Sequence, residues 1–359
     1  MKFSRKLKYW IKRKKYTAPE GYYRNAYEFI NNYPENKLIQ LIAPETVSFN
    51  EPKFYKEEDT LKIIPIDEVT YPEDFVLILK NGRVWGEEGI VITPDNKLIA
   101  DKISYADMEN HRAYYNYKIP KTQYIKGNVA IIASVWATGY YHWFIDIIPR
   151  LHLLNKSEIK IDKYIINSLE RDFQLKFLNL FDIDKEKLIF INDKTHIHAE
   201  NLIVPSLNGT CGNPAPWIFR FYKEKFNIQP DAKFPEKIYI SRENVAQRKI
   251  VNENELISML SKKGFVKIKP EDYSIIDQFK IFASAKTIIS AHGAALSNII
   301  FSHQNTKLIE IYHPDYMNLI YYKMSQINKL DYHYFIAQNA GDKQEQNMYV
   351  DLDVLEKAL

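Results

Sequence analysis

The feature that most restricts the fold of this chain is a regular alternation of strand-like and helix-like segments over residues 237–336. Runs such as KIYIS, TIISA and KLIEIY are short and apolar, and segments with helical spacing such as ENELISMLSKK and IIDQFKIFASA separate them. Strands that are joined through helices form parallel sheets whose two faces those helices cover. The sequence therefore predicts an α/β domain of the Rossmann-like kind in this region.

The residues before this region predict a second α/β unit and an antiparallel addition to it. After Ile103 the strand-like runs NVAIIAS, KYIINS, KLIFIN and LIVPS alternate with helix-like segments. From about Leu38 to Ile103, apolar runs instead alternate with turn signals, and Lys80-Asn81-Gly82-Arg83 and Pro94-Asp95-Asn96 are predicted hairpin turns. We therefore expect an antiparallel β elaboration near the N-terminus.

The length of the chain favours two domains. Its 359 residues, of which 46% are hydrophobic, exceed the roughly 250–300 residues at which single cores stop growing. The segment QPDAKFPEK has the composition of a linker. The predicted parts are a basic arm (1–20), an N-terminal domain with the β elaboration (21–230), a C-terminal domain (231–335), and a tail or helix that packs back on the N-terminal domain (336–359).

Composition argues against several classes of protein. With 49 basic and 45 acidic residues the charge is nearly balanced, which does not favour a nucleic-acid partner. Cys211 is the only cysteine, which excludes an internal disulfide or a cysteine-rich zinc site and suits a reducing compartment. There is no apolar run of about 18 residues and no signal-peptide pattern. We expect a cytoplasmic protein.

The first residues, MKFSRKLKYWIKRKKY, carry eight basic side chains among apolar ones. As an amphipathic helix, this arm would lie on an anionic membrane with Trp10 at the headgroups, at about 1 kcal/mol for each basic residue near the surface. That reading predicts a protein peripheral to the inner face of the cytoplasmic membrane. The alternative is a solvated arm that binds nothing.

The segment GYYHWFIDIIPRL contains the first candidate site. On a helix, His142, Asp146 and Arg150 follow an i, i+4, i+8 stripe beside a broad apolar face. A histidine and an aspartate one turn apart can share a proton and act as a general base towards a hydroxyl group. The alternative is a surface ion pair of little energetic consequence.

A second candidate site follows the strand KIYIS, where Arg242 and Arg248 come at the carboxyl edge of the predicted sheet. Ligands bind at this edge in open α/β sheets, and guanidinium groups match the geometry of phosphates. Asn252 and Glu255 predict a capping box for the next helix, and Gly264 predicts its end. The alternative is a pair of solvated arginines.

A third candidate site is the strand-to-helix junction SAHGAALSN. Its small residues would let a diphosphate approach the backbone, and the first turn of a helix offers unpaired N–H groups. His292 adds a donor, and Glu310, in the next strand, would accept hydrogen bonds from ribose hydroxyls. The alternatives are a tight turn in which Gly293 only relieves strain, and a solvated Glu310.

These three motifs, in this order, resemble glycosyltransferase family 61, whose bacterial members include capsule and cell-surface polysaccharide enzymes. The resemblance spans about Gly139 to Pro314. It implies a GT-B-like fold with two Rossmann-like domains facing each other across a cleft, inversion at the anomeric carbon, and no metal or other cofactor. It further implies a nucleotide-sugar donor, UDP-linked by our expectation, and a glycan or lipid-linked oligosaccharide acceptor.

The resemblance also assigns roles to residues by their position in the motifs. Asp146 corresponds to the catalytic base, with His142 as its neighbour or substitute. The residue after His-Gly-Ala is commonly Gly in the family and is Ala295 here, which narrows the approach to the backbone. The implied acceptor or cleft residues are Gly139, Tyr141 and Arg150. The implied donor-binding residues are Ser241, Arg242, Arg248, His292, Gly293, Ala294, Ala295 and Glu310.

Three other interpretations make different demands on the sequence. A metal-dependent transferase would need an Asp-x-Asp motif, and Asp182-Ile183-Asp184 and Asp351-Leu352-Asp353 are better explained as turn and N-cap residues. A nicotinamide dehydrogenase is disfavoured because no G-x-G-x-x-G motif opens a helix. A non-catalytic glycan-binding or scaffold protein of the same fold stays open, because a fold does not determine a function.

Overall fold

The computed structural model describes residues 18–55, 66–104, 107–115, 119–208, 213–341 and 345–359. These residues form two compact units. Unit 1 comprises the described residues of Met1–Pro44 and Pro72–Pro214, and unit 2 comprises those of Glu45–Tyr71 and Ala215–Leu359. Most of the basic arm lies outside the described residues.

The strands alternate with helices in the two α/β regions, as the apolar spacing predicts. The strands are β1 Tyr22–Tyr23, β2 Lys37–Ile42, β3 Glu45–Ser48, β4 Lys53–Phe54, β5 Glu68–Tyr71, β6 Asp74–Lys80, β7 Arg83–Trp85, β8 Ile90–Ile92, β9 Leu98–Ile99, β10 Gln123–Ile131, β11 Lys163–Asn167, β12 Leu188–Ile191, β13 His196–Pro205, β14 Lys237–Ile240, β15 Val266–Ile268, β16 Thr287–Ala291, β17 Lys307–Tyr312, β18 Asp331–Ile336, β19 Gln338–Asn339 and β20 Met348–Tyr349.

The helices include a composite one in unit 1, in which a π-helical turn separates two α-helical pieces. The α-helices are α1 Ala26–Asn32, α2 Tyr140–His142, α3 Ile148–Lys156, α4 Asp172–Leu180, α5 Pro216–Phe226, α6 Glu253–Lys262, α7 Ile275–Ser284, α8 Ile320–Ile327 and α9 Leu352–Lys357. The π turn is Trp143–Ile147, and a 3₁₀ helix spans Ala294–Phe301. Within the described residues, every helix is too short or too polar to cross a lipid bilayer.

Unit 1 combines a parallel sheet with the expected antiparallel elaboration. Strands β13, β10, β11 and β12 lie side by side in that order and are parallel. Strands β6 and β7 pair antiparallel with β13, and β8 and β9 continue the sheet. The buried residues of these strands, such as Val129, Ile165 and Leu202, form one hydrophobic core.

One of the two predicted hairpin turns is present and the other is not. The turn Pro94-Asp95-Asn96 joins the paired strands β8 and β9, and Asn96 has a φ of +67°. At Asn81-Gly82 the chain does not reverse, because β6 and β7 pair with the same strand, β13, in one register. The Asn81 N–H donates to Glu200 O at 2.9 Å and keeps this stretch on its partner. A hairpin signal here marks a local irregularity in one long strand.

Unit 2 is built on the predicted parallel sheet. Its strand order is β15-β14-β16-β17-β18-β4, and each neighbouring pair is parallel. Counted from β14 as the first strand of the α/β region, this is the order 2-1-3-4-5 of a doubly wound sheet. Mixed α/β units with parallel sheets are therefore confirmed, in agreement with the predicted fold class.

The two units divide the chain at other places than the sequence predicts. The expected boundary at residue 230 falls inside unit 2, because Phe226 of α5 packs on Phe279 and Phe301, with ring centroids 5.3 and 6.3 Å apart. The segment QPDAKFPEK is also part of unit 2. The C-terminal residues belong to unit 2, since Met348 and Leu355 are buried in its core.

The expected capping box is likewise replaced by a tertiary contact. Asn252 precedes α6 but makes no side-chain cap. Its side chain instead donates to Val350 O at 2.9 Å and accepts from Val350 N at 3.0 Å. Gly264 follows the helix with a φ of +84°, as expected of a glycine that ends a helix. The polar side chain therefore fixes the C-terminal segment rather than the helix end.

Candidate functional site

Each unit has a position in its sheet where ligands are expected to bind. In open α/β sheets this position lies at the carboxyl ends of the strands, between neighbours whose following connections leave in opposite directions. In unit 2 it lies between β14 and β16, which are followed by Arg242 and by His292. In unit 1 the carboxyl ends of the parallel strands β13, β10, β11 and β12 lie at one edge of the sheet. The residues that follow β10 include His142.

In unit 2 the two arginines are held by backbone carbonyls. Arg242 donates from Nε to Arg248 O at 3.3 Å and from Nη2 to Gln247 O at 3.0 Å. Arg248 donates from Nε to His292 O at 3.2 Å, and its guanidinium carbon lies 4.5 Å from the ring centre of Tyr316. Each guanidinium keeps further N–H groups that these bonds do not use.

The positive charge of this cluster is not balanced locally. Among the described residues, neither Arg242 nor Arg248 forms an ion pair with a carboxylate, although each is partly buried. Burial and the neighbouring charge of Arg248 lower the pKa of Arg242 to about 10. Holding two guanidinium groups together in this way costs free energy, and a bound anion would offset that cost.

His292 is positioned by a buried carboxylate. Its Nδ1 lies 2.5 Å from Glu310 Oε1, and the Tyr332 hydroxyl donates to Glu310 Oε2 at 2.7 Å. The Tyr312 hydroxyl also lies 3.0 Å from Oε2. Burial raises the pKa values of Tyr312 and Tyr332 well above the ordinary value, so both phenols remain protonated donors. Glu310 is fully buried.

This geometry changes the role that the sequence predicts for Glu310. Both of its carboxylate oxygens are occupied by protein groups, and none of its surface is exposed, so it does not face a ribose. His292 is itself buried, and its contact with Glu310 is made through Nδ1, so Nε2 is the ring nitrogen that this contact does not use. Glu310 is therefore a positioning residue for His292.

The backbone of the His292 turn lies next to Arg242. A side-chain Cβ placed on Gly293 would lie 1.8 Å from Arg242 Nη1, so the glycine makes room for this guanidinium. Gly293 has a φ of −176°, which any residue adopts, so it does not relieve backbone strain. The following helix is 3₁₀ rather than α, and the amides of Ala294 and Ala295 precede its first bond, from Leu296 N to Gly293 O at 3.0 Å.

The side chain of Ser241 is hydrogen-bonded to the first residue of α6. Its hydroxyl donates to Glu253 Oε1 at 2.8 Å, and Tyr239 donates to the same oxygen at 2.7 Å. The residue is buried. In the present conformation it therefore stabilises the start of the arginine loop rather than facing a ligand.

In unit 1, His142 and Asp146 form the predicted pair. His142 Nδ1 lies 2.7 Å from Asp146 Oδ2, and the exposed fractions of the two side chains are 26% and 2%. When the carboxylate accepts a hydrogen bond from Nδ1–H, the lone pair of His142 Nε2 is available. The resemblance implies Asp146 as the base with His142 as its neighbour or substitute, and in the structure the imidazole is the more exposed member of the pair.

Arg150 does not continue this stripe. It is 1% exposed and donates from Nη1 to Ala133 O at 2.9 Å and from Nη2 to Pro205 O at 2.9 Å. The π turn Trp143–Ile147 lies between Asp146 and Arg150, and such a turn rotates the residues that follow it relative to a regular α-helix. Arg150 therefore fixes the ends of β10 and β13 and is not exposed to an acceptor.

The other expected acceptor residues surround His142. Gly139 is the N-cap of α2, and its carbonyl accepts from Trp143 N at 2.9 Å. Tyr141 is buried and contacts the His142 ring edge-on, with centroids 5.2 Å apart. On the other side, Trp136 approaches the same ring with centroids 5.0 Å apart. The sequence did not identify Trp136 as a candidate, because no pattern around it indicates that this tryptophan is exposed.

Tertiary contacts contribute further residues that the sequence does not mark. Tyr316 lies under Arg248, and the Arg248 N–H donates to Glu345 O at 2.8 Å in the C-terminal segment. Arg248 has a φ of +59°, an uncommon conformation for a residue other than glycine, and this backbone contact accompanies it. No local pattern connects residue 345 with the arginine loop, so no sequence signal predicts this support.

Acidic side chains are used in turns and caps. Asp184 accepts from Glu186 N at 2.9 Å, and Asp351 accepts from Val354 N at 3.2 Å, so the N-cap predictions are confirmed. Asp182 lies in a turn with a φ of +54°. Within the described part of the chain, no group of three or more His, Cys, Asp or Glu side chains is placed to hold a metal ion.

Comparison with known proteins identifies the region that contains these residues. Residues 140–309 match the family described as Glycosyltransferase 61. The match covers slightly less than half of the chain, includes both the His142 pair and the arginine cluster, and ends one residue before Glu310. The family thus supports the resemblance that the three motifs carry.

One curated relative agrees with this match. Protein O-linked-mannose beta-1,4-N-acetylglucosaminyltransferase 2 from Xenopus tropicalis is 28% identical over 104 residues, which are 28% of this chain and 18% of that protein. The chain therefore matches less than a fifth of the relative's length. Together the family match and this relative show that the region of residues 140–309 is similar to glycosyltransferases.

Proposed function

We propose that this protein is an inverting, metal-independent glycosyltransferase that uses a nucleotide-sugar donor. The observation that carries the proposal is the pair in which a buried Asp146 holds Nδ1 of a partly exposed His142 at 2.7 Å. This is the arrangement that a general base needs, because the carboxylate orients the ring and stabilises the imidazolium that forms. The glycosyltransferase match of the same segment supports it.

In the proposed reaction His142 Nε2 removes the proton of an acceptor hydroxyl. The hydroxyl oxygen forms a bond to the anomeric carbon of the donor as the bond from that carbon to the diphosphate oxygen breaks. One displacement inverts the configuration at this carbon. The electron pair leaves with the nucleoside diphosphate, and the proton stays on the imidazole beside Asp146.

Donor phosphates are assigned to unit 2. Arg242 and Arg248 offer unused N–H groups without a carboxylate partner among the described residues, at the position between β14 and β16. His292, held by Glu310, adds a donor when protonated. Developing charge on a leaving diphosphate is stabilised by such preorganised donors. The amides of Ala294 and Ala295 are proposed to complete the phosphate site.

The finer assignments follow from the family resemblance and from the sequence. We propose a GT-B architecture, a UDP-linked donor, and a glycan or lipid-linked oligosaccharide acceptor in capsule or cell-surface polysaccharide synthesis. The basic arm would hold a cytoplasmic enzyme at the membrane where lipid-linked acceptors are found. The parallel strands β10, β11, β12 and β13 of unit 1 and the parallel sheet of unit 2 are compatible with this architecture.

The test measures transfer and donor hydrolysis by wild type, His142→Ala and Asp146→Asn across a panel of nucleotide sugars. We expect His142→Ala to lower kcat by about 10²–10⁴, the usual contribution of a general base. Asp146→Asn should lower kcat less and change its pH profile, because the ring stays but loses its anionic partner. Nucleotide affinity should not change in either variant.

Two outcomes would contradict the proposal in different ways. Full activity of His142→Ala would remove the base from this residue while leaving a glycosyltransferase. No turnover of any donor by wild type, with nucleotide or glycan binding intact, would favour a non-catalytic glycan-binding protein.

A further inference from the structure

A tryptophan lies at the ligand-binding edge of unit 1. Trp136 belongs to the segment of residues 134–139, which connects β10 to α2. This segment follows the carboxyl end of β10, which pairs in parallel with β11 and β13, and ligands bind at that edge of open α/β sheets. The residue is 43% exposed. Exposure of so large an aromatic surface at such an edge is typical of a binding site.

The segment that carries Trp136 is fixed by hydrogen bonds. Ser134 N donates to Asn167 Oδ1 at 2.9 Å. The Ala137 carbonyl accepts from Gln174 Nε2 at 3.0 Å. Asn167 is the last residue of β11 and Gln174 lies in α4, so a neighbouring strand and a helix hold the segment. The indole is thereby preorganised, which lowers the entropic cost of binding a ligand.

Trp136 also contacts the proposed base directly. Its carbonyl accepts from Gly139 N at 3.0 Å, so the chain turns and returns His142 to the indole. The two rings lie 5.0 Å apart with a tilt of 36°. The indole of Trp136 and the imidazole of His142 are therefore neighbours.

The chemistry of the indole selects the kind of ligand. Its face is apolar, carries partial negative charge and forms favourable contacts with C–H groups and flat apolar surfaces. A hexopyranose has such a surface on the face where its ring C–H bonds point, with hydroxyls around the edge. Phosphates are a poor match for this surface, since they are negatively charged and strongly hydrated.

We propose that Trp136 binds the acceptor by stacking on a hexopyranose ring, so that one hydroxyl of this ring points to His142 Nε2. This inference rests on the proposed function for the role of His142. It makes Trp136 a specificity-determining residue for acceptors that end in a hexopyranose with an open C–H face. Acceptors without such a sugar, such as a peptide hydroxyl, lack the stacking surface.

Binding is tested without any turnover. The full chain is labelled with 5-fluorotryptophan, the Trp136 ¹⁹F resonance is assigned by its loss in Trp136→Phe, and methyl glycosides of galactose, glucose, mannose and N-acetylglucosamine are titrated. At least one glycoside should shift the Trp136 resonance saturably, while the resonances of the buried Trp85, Trp143 and Trp217 move little. Absence of a saturable Trp136 shift with all four would overturn the proposal.

Kinetics then separate binding from an indirect effect on His142. Trp136→Ala should raise the KM for the same glycosides by at least about tenfold, and Trp136→Phe should restore part of the loss. Tyr124→Ala is the matched control, because Tyr124 is 54% exposed in β10 before the segment. A fall in kcat alone would mean that Trp136 only orients His142 and would also overturn the proposal.

Failure of this proposal is distinguishable from failure of the proposed function. If Trp136→Ala keeps acceptor KM while His142→Ala abolishes transfer, the base stands and the acceptor platform does not. If glycosides bind to Trp136 but wild type transfers no sugar from any donor, the platform stands and the enzyme assignment does not.

Discussion

The Gly293→Ala substitution tests the arginine cluster because it adds a single carbon atom, Cβ, next to the Arg242 guanidinium. The added Cβ would lie 1.8 Å from Arg242 Nη1 and 2.9 Å from its Cζ. Carbon and nitrogen atoms that are not bonded approach to roughly 3.5 Å, so the guanidinium must move by more than about 1 Å. The φ of −176° suits alanine, so the backbone itself should remain unchanged.

The expected magnitude follows from what Arg242 is proposed to contribute. A charge-assisted hydrogen bond contributes about 1.5–3 kcal/mol, which corresponds to about a 10- to 150-fold change in Kd. Because a shift of more than about 1 Å misdirects the remaining N–H groups, Gly293→Ala should lose most of that contribution. Arg242→Ala should lose all of it.

The assay is calorimetric titration at fixed salt with the nucleoside diphosphate that gives the largest thermal shift in wild type. Wild type, Gly293→Ala, Arg242→Ala and the double variant form a double-mutant cycle. In the Arg242→Ala background, Gly293→Ala should have little further effect, because no guanidinium remains to be displaced. Additive losses, or an unchanged Kd in Gly293→Ala, would refute the reasoning, provided that unfolding temperatures stay similar.

Three further predictions concern the same proposal. Glu310→Gln should weaken nucleoside-diphosphate binding about three- to tenfold, because His292 loses the carboxylate that positions its ring; an unchanged Kd would contradict this. Transfer should survive EDTA, and complete loss that Mn²⁺ or Mg²⁺ restores would show metal dependence. Deletion of residues 1–17 should abolish co-sedimentation with anionic vesicles but preserve turnover of a soluble acceptor, whereas unchanged pelleting would identify a solvated arm.

Much of the fold was predictable because it depends on local patterns. Apolar runs of four to six residues and helical spacing between them report which faces of each segment are buried. The elements of unit 2 from β14 to β18 accordingly lie where the sequence puts them. Since parallel strands bring their carboxyl ends to one edge, the loops with Arg242 and His292 were also expected there.

Pairings between distant segments were not predictable in the same way. The hairpin signal at Asn81-Gly82 is a sound local pattern, yet the Asn81 N–H and the Gly82 carbonyl bond to β13, more than one hundred residues away. The same holds for Asn252, whose side chain pairs with Val350. A local propensity gives way when a tertiary partner satisfies the same groups.

The sequence by itself determined which residues are proposed to carry the chemistry: His142 and Asp146 with their spacing, the two arginines, and the small residues after His292. Only the tertiary structure decided what each of them does. Asp146 is buried and contacts the imidazole of His142, and Glu310 is buried and contacts His292. Arg150 follows the π turn and is also buried. Spacing along the chain fixes which side chains are neighbours, whereas the contacts of distant strands decide which of these neighbours meets solvent.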